Sequence, residues 1–317
     1  MEQRCLYCYK PLEKGTADFH VKCSRNFFGT PTPPELEYSN EQMQDLASQI
    51  IVRSIAVTGV QPKLSLTIEK QHNDPKRSRF TIVGLWGDYI LKPPSDTFPH
   101  LPENEDLTMH LSELFGISTA KHSLIRLQSG ELAYITKRFD RENGIKLPQE
   151  DMCQLTETLT ADKYRSSMEK IGKQVALHST QPGFDAIRLF ELILFSFLTG
   201  NADMHLKNFS LLNTQQNVIT LSPTYDLLCT KLAMPDDKEE MALTLNGRKR
   251  KLKKEDFNLF AKSLTLPSKT VENIYTRFSK KLSQANLLIQ SSFLPDDMKQ
   301  TYQSIMIERA AHLMLTI

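Results

Sequence analysis

The segment Gly200-Asn201-Ala202-Asp203-Met204-His205-Leu206-Lys207-Asn208, followed further along the chain by Tyr225-Asp226-Leu227-Leu228, carries polar side chains at a spacing suited to chemistry. An Asp, an Asn beyond it and a second Asp are the set that phosphoryl transfer uses: one carboxylate orients a hydroxyl nucleophile, and the Asn and Asp hold Mg2+ against the phosphates of ATP. Asp203 fits the first role. Asn208 and Asp226 offer the oxygen donors that a hard cation prefers. Lys92, in Tyr89-Ile90-Leu91-Lys92-Pro93-Pro94, would point at the α and β phosphates from the end of a strand that the double proline stops. Glu105 could pair with it, and Glu103 is a near-equal alternative. Upstream, Thr58-Gly59-Val60-Gln61-Pro62-Lys63 is either a hairpin or a turn whose N–H groups and lysine cradle a triphosphate. Asp and Asn also cap helices and turns routinely. The concurrence with an upstream strand lysine is what favours the catalytic reading.

The elements that must position these residues follow from periodicity. Ser39-x-x-Gln42 fits a capping box, and Met43, Leu46 and Ile50 recur at helical spacing, which predicts a short helix. Branched and aromatic runs at 64–68, 80–83 and 89–91 read as antiparallel strands, separated by the polar stretch 69–79 and by Gly87-Asp88. A helix over 105–115 and strands over 123–127 and 132–136 come next. Beyond about residue 150 the pattern turns helical. Ile187, Leu189, Phe190, Leu192, Ile193, Leu194, Phe195 and Phe197 are apolar nearly all round, so a helix over 186–198 is expected to be buried. It stops at Gly200 and delivers the Asp203 loop directly from a core. Amphipathic segments near 255–264, 269–289 and 296–315 close the chain. The class is α+β: a β-rich lobe over 37–140, a mainly helical lobe over 141–317, and an N-terminal arm over 1–36.

A chain of 317 residues, 40% hydrophobic and 24% charged, is long enough for two lobes with a core each. A formal net charge of +2 is too small to imply bulk nucleic-acid binding. No apolar run suggests a membrane span or signal peptide, so a cytoplasmic protein with no membrane partner is expected. Five cysteines, three of them within the arm, argue for a reducing compartment over a disulfide framework. Cys5-x-x-Cys8 and His20-x-x-Cys23 could supply a tetrahedral Cys3His set for Zn2+; the alternative is small residues buried in the arm. Pro31-Thr32-Pro33-Pro34 reads as a stiff linker after it. The basic run Arg248-Lys249-Arg250-Lys251-Leu252-Lys253-Lys254 reads as a solvated turn, offset by Asp236, Asp237, Glu239 and Glu240, in preference to a nucleic-acid patch. Cys153 and Cys229 are expected in the core.

Thr58 to Lys63, Tyr89 to Pro93, Arg138-Phe139-Asp140-Arg141, the 200–208 loop and Tyr225-Asp226-Leu227-Leu228 together resemble the HipA family of bacterial toxin kinases, in the family's order and over residues 50–230. Lacking that family's extra N-terminal subdomain, the chain resembles the short HipT type most. The resemblance implies a bilobal protein-kinase-like fold, ATP and Mg2+ as cofactors, and serine/threonine protein kinase activity on an aminoacyl-tRNA synthetase. It implies Asp203 as the catalytic residue, Asn208 and Asp226 as Mg2+ ligands, and Lys92 as the phosphate lysine. Ser54, Ala56, Val57, Thr58, Gly59, Gln61 and Lys63 would line the phosphate loop, Lys137 and Phe139 the adenine hinge, and His205, Lys207 and Tyr225 the nucleotide's surroundings. Ser54 is the implied autophosphorylation site, with Ala56 where short-type members can carry a second serine. The implied partners are antitoxins: a small HipS-like protein and a HipB-like DNA-binding protein, through which the chain would meet DNA indirectly.

Overall fold

The computed structural model describes residues 3–53, 63–71, 74–83, 86–142 and 144–316, with backbone alone over 47–53 and 71–77. The chain folds into two compact units. The first comprises residues 1–106, 120–139 and 291–294, and the second 107–119, 140–290 and 295–317.

The first unit begins with helix α1 (Val21–Phe28), ended by Gly29 in the left-handed conformation, and helix α2 (Asn40–Arg53). The capping box that opens α2 is formed: Gln42 N–H donates to Ser39 Oγ, and Ser39 N–H to the Gln42 side chain at 2.9 Å. Strands β1 (Leu64–Gln71), β2 (Asp74–Val83) and β3 (Tyr89–Lys92), the start of helix α3 (Leu101–Leu114), and strands β4 (His122–Arg126) and β5 (Leu132–Lys137) follow. The strands form one antiparallel sheet in the order β2-β1-β3-β5-β4. Within the polar stretch 69–79, residues 69–71 and 74–79 belong to β1 and β2 and extend their ribbon instead of separating two strands. There Arg79 lies 3.8 Å from its cross-strand partner Glu69, and Thr81 donates to the same carboxylate at 2.8 Å. Cross-strand charge pairs stabilise a ribbon, and an edge strand such as β2 tolerates charge.

Residues 3–36 share one core with this sheet. Cys5, Leu6, Phe19, Phe27, Phe28 and Leu36 are buried with Leu64, Leu66, Phe80, Tyr89 and Leu91. Phe27, Phe28, Phe80 and Tyr89 meet edge-to-face at centroid separations of 4.8–5.9 Å, each pair contributing about 0.5–1.5 kcal/mol beyond area burial. The proline stretch therefore does not set a free arm apart from the sheet.

In the second unit a two-stranded hairpin, β6 (Arg141–Glu142) with β7 (Ile145–Lys146), precedes β8 (Gln149–Asp151) and the short helix α4 (Met152–Leu155). Helices α5 (Met168–His178) and α6 (Pro182–Leu198) follow. Strands β9 (Ser210–Asn213) and β10 (Ile219–Leu221) complete a three-stranded sheet in the order β10-β9-β8. Helices α7 (Thr230–Ala233), α8 (Lys254–Ser263), α9 (Ser268–Gln290) and α10 (Asp296–His312) end the unit. Helix α6 starts with proline in its first turn, where the missing N–H costs no bond, and is buried along most of its length. The basic run behaves as a turn: Lys249 lies 3.3 Å from Glu239, and Glu240 accepts from the Leu252 N–H. Cys153 and Cys229 are buried. Among the described residues no helix is long and apolar enough to cross a membrane.

Candidate functional site

The 200–208 loop leaves α6 through Gly200, whose φ of 67° is left-handed. A Cβ there would stand 2.9 Å from Ile305 Cγ2 and 3.2 Å from Lys231 Cβ, so both backbone angle and space select glycine. The loop is tied by its own polar groups. Thr230 Oγ donates to Gly200 O at 3.0 Å and accepts from Ala202 N–H at 2.8 Å. Asn201 is buried, and its Oδ1 accepts from Asp203 N–H at 3.0 Å. His205 N–H donates to Asp203 O, and Asn208 N–H to His205 O, closing a 3-10 turn over Leu206–Asn208. Asp203 is thus half-buried on a rigid turn that follows a core helix.

Asn208 is buried, and its Nδ2 donates to Asp226 Oδ2 at 3.2 Å. A carboxylate can only accept, so this contact fixes the amide orientation. Asn208 Oδ1 is left buried with no partner among the described residues. An unpaired buried carbonyl oxygen costs about 1–3 kcal/mol, and a cation is the kind of group that offsets it. Asp226 sits at φ 61°, a conformation rare outside glycine but tolerated by Asp and Asn. A carboxylate and a carbonyl oxygen side by side are the hard donors Mg2+ takes.

The residues around this pair are mutually engaged. Tyr164 donates its hydroxyl to Asp203 Oδ1 at 2.6 Å, and its ring meets His205 edge-on at 5.0 Å. Burial, with the hydrogen bond to Asp203 adding to it, raises the Tyr164 phenol well above its ordinary range. Burial lowers the His205 imidazole; the Asp203 carboxylate opposes that and Lys163 reinforces it. His205 is therefore neutral at pH 7, with Nδ1 buried and without a partner among the described residues. Lys207 Nζ lies 2.8 Å from Asp151, the residue that caps α4. The Tyr225 hydroxyl donates to Lys207 O at 2.8 Å and lies 2.5 Å from Ser210 Oγ.

In the first unit, Lys92 at the end of β3 is buried with its Nζ 2.5 Å from Glu105 Oε1 and 5.4 Å from the Tyr134 ring centroid. Glu103 instead meets His100 Nδ1 at 3.1 Å. Lys63 and Lys137 are exposed and Phe139 is half-buried. Ser54, Ala56, Val57, Thr58, Gly59 and Gln61 lie outside the described residues. Tyr164, Thr230, Asn201 and Asp151 were not anticipated as parts of the site.

A β-rich unit with a strand lysine paired to a helix glutamate, and a helical unit with an Asp loop and an Asn–Asp pair, define an α+β protein of the protein-kinase-like fold. Residues 55–286 match the HipA-like C-terminal domain model, and the chain belongs to that family. A Haemophilus influenzae protein named "Putative kinase" is 28% identical over 71% of this chain and 67% of its own length. The serine/threonine-protein kinase toxin HipA of Shewanella oneidensis is 26% identical over 73% of this chain and 56% of its own length. The chain spans between 41% and 67% of the length of four curated relatives that it matches. Among solved structures, Shewanella oneidensis HipA in complex with HipB and operator DNA superposes with a TM-score of 0.66 at 22% identity, covering 85% of this chain and 71% of that one. The Helicobacter pylori proinflammatory kinase CtkA does so with a TM-score of 0.52 at 16% identity, over 71% of this chain and 86% of that one.

Proposed function

We propose that the chain is an ATP-dependent serine/threonine protein kinase of the HipA type. The observation that carries this reading is the buried Asn208 side chain, whose Nδ2 donates to Asp226 while its Oδ1 has no partner among the described residues, linked to Asp203 by one short turn. Asn208 and Asp226 would hold Mg2+, which supplies charge neutralisation for the phosphates. Asp203 would orient the acceptor hydroxyl and take its proton. The Tyr164 hydroxyl at 2.6 Å marks a direction from which a hydroxyl can approach that carboxylate. Lys92, held by Glu105, would contribute the positive charge that kinases direct at the α and β phosphates. His205, Lys207 and Tyr225 would border the nucleotide, with Ser54 to Lys63 as phosphate loop and Lys137 and Phe139 as hinge.

By the same reading the chain is the toxin of a toxin–antitoxin pair of the short HipT type, acting on an aminoacyl-tRNA synthetase, checked by HipS-like and HipB-like antitoxins, and autophosphorylating at Ser54. The HipB and DNA in the Shewanella oneidensis complex support the antitoxin part.

The test is transfer of labelled γ-phosphate from ATP in a bacterial lysate, with Asp203→Ala as the blank. A general base contributes about 10²–10⁴-fold, so labelling of a synthetase band should fall by that factor in the variant. ATP binding with no labelled product in the unaltered chain would mean a nucleotide-binding module instead.

A further inference from the structure

Four side chains of the first unit converge outside the phosphotransfer residues. The sulfurs of Cys5, Cys8 and Cys23 and a ring nitrogen of His20 all lie within 4.8 Å of one another. Cys8 Sγ is 3.4 Å and Cys23 Sγ 3.7 Å from His20 Nδ1. A tetrahedron of thiolates about 2.3 Å and imidazole about 2.0–2.1 Å from a metal has edges of roughly 3.5–3.8 Å. The two sulfur–nitrogen separations are close to those of such a shell, and the remaining ones need contract by at most about 1 Å.

The backbone around the four is arranged for it. Cys5 N–H donates to Lys10 O and Tyr9 N–H to Cys5 O, both at 2.9 Å, and Tyr9 at φ 61° folds the chain back into a tight knuckle. His20 stands at the N-cap position of α1 with no side-chain capping bond, and Cys23 lies one turn on, on the same helix face. His20 Nε2 is 2.9 Å from Pro11 O. A carbonyl only accepts, so Nε2 carries the proton and the Nδ1 lone pair is the one aimed at the sulfurs. A histidine whose far nitrogen donates to a carbonyl is the usual outer-shell device of a metal-ligating imidazole. A merely buried cluster of small residues requires none of this. None of the three cysteines is disulfide-bonded.

We propose that Cys5, Cys8, His20 and Cys23 bind one structural Zn2+ ion. Three thiolates and an imidazole make a closed tetrahedral set with no open position, which suits zinc and a structural role. The knuckle it would close is built into the sheet. Leu6 O accepts from Leu124 N–H and Ser123 Oγ, and Asp18 pairs with Arg126 at 2.9 Å. Tyr9, the residue after Cys8, donates its hydroxyl to buried Asp106 Oδ2 at 2.6 Å, and Asp106 Oδ1 lies 2.7 Å from His122 Nδ1. Asp106 follows Glu105, the partner of Lys92. The metal thus seats the turn that positions the start of α3.

The test uses the full chain expressed with added Zn2+ and purified without chelator. Elemental analysis should give one zinc per chain. X-ray absorption should fit three sulfurs at about 2.3 Å and one nitrogen at about 2.0–2.1 Å. Cys8→Ser and His20→Ala should lose the metal and lower the thermal midpoint, while Cys153→Ser keeps it. Should the variants be insoluble, mercurial titration of the unaltered protein reads the same property, with zinc released as the thiols are blocked. Substoichiometric zinc after reconstitution, a first shell of nitrogen and oxygen alone, release of no zinc on blocking, or a native disulfide among the three cysteines by intact mass would each overturn the proposal.

Discussion

The Lys92 and Glu105 pair and the 200–208 loop are both made of charged and polar groups, and they treat those groups in opposite ways. Lys92 and Glu105 are buried against each other at 2.5 Å, so each charge is answered within the first unit. In the second unit Asn208 Oδ1, Asn201 Nδ2 and His205 Nδ1 are buried with no partner among the described residues, and Asp226 holds a left-handed backbone. A satisfied buried pair rigidifies a structure, whereas unsatisfied polar atoms grouped around carboxylates cost stability and are retained where a ligand completes them. Removing an anion should therefore have different consequences in the two places.

Glu105→Gln takes the carboxylate from a buried ammonium, and breaking a buried pair in this way costs about 3–5 kcal/mol. Urea unfolding should register that loss whether or not nucleotide is present. Asp226→Asn keeps the size of the side chain and its tolerance of φ 61°, so it should cost less stability than Glu105→Gln. Under the proposed assignment phosphate transfer should nonetheless fall by at least about 10²-fold, since the variant would lose a charged ligand of the proposed Mg2+. A large stability loss in Asp226→Asn would erase the contrast. Gly200→Ala sharpens it from the backbone side. The left-handed angle alone costs roughly 1–2 kcal/mol for a residue with a Cβ, and the 2.9 Å approach to Ile305 adds to it. That destabilisation should be accompanied by lost transfer, because the same glycine aims the Asp203 loop.

Much of this could be read from the residues alone. The strand lysine, the buried helix ending at Gly200 and the capping box at Ser39 and Gln42 each combine a residue type with a local spacing that has one dominant physical use. Choosing Glu105 over Glu103 needed the structure: α3 begins at Leu101, four residues before the expected start. Two residues apart on a helix, the glutamates point to different faces, and only one reaches Lys92. Tyr164 was not legible, because it lies in an irregular segment after a 3-10 turn over Thr160–Asp162, and its contact with Asp203 joins residues 39 apart in the chain. β8, β9 and β10 are three or four residues each, too short for period-two patterning to emerge. The polar stretch 69–79 misled in the opposite direction, since an edge ribbon can be charged and still be a strand.

The smallest expected effect concerns His205, where the contrast can be followed with pH. Burial lowers the imidazole below its ordinary value near 6.5, so in the folded chain it stays neutral where the unfolded chain has begun to take up a proton. In the window between the lowered folded value and about 6.5 the unfolded state binds more protons, and stability rises with pH. The contribution is present in full above that window and is lost as pH falls through it. The thermal midpoint of the unaltered chain should therefore drop between pH 7.5 and pH 5.5 by more than that of His205→Asn, which cannot take up the proton. A comparison with His122→Asn would add the other region, because His122 lies 2.7 Å from the buried Asp106 carboxylate and removing that contact should lower the midpoint at both pH values. If His205→Asn kept the whole pH dependence, the neutral, desolvated state of His205 would not be what links this loop to protons.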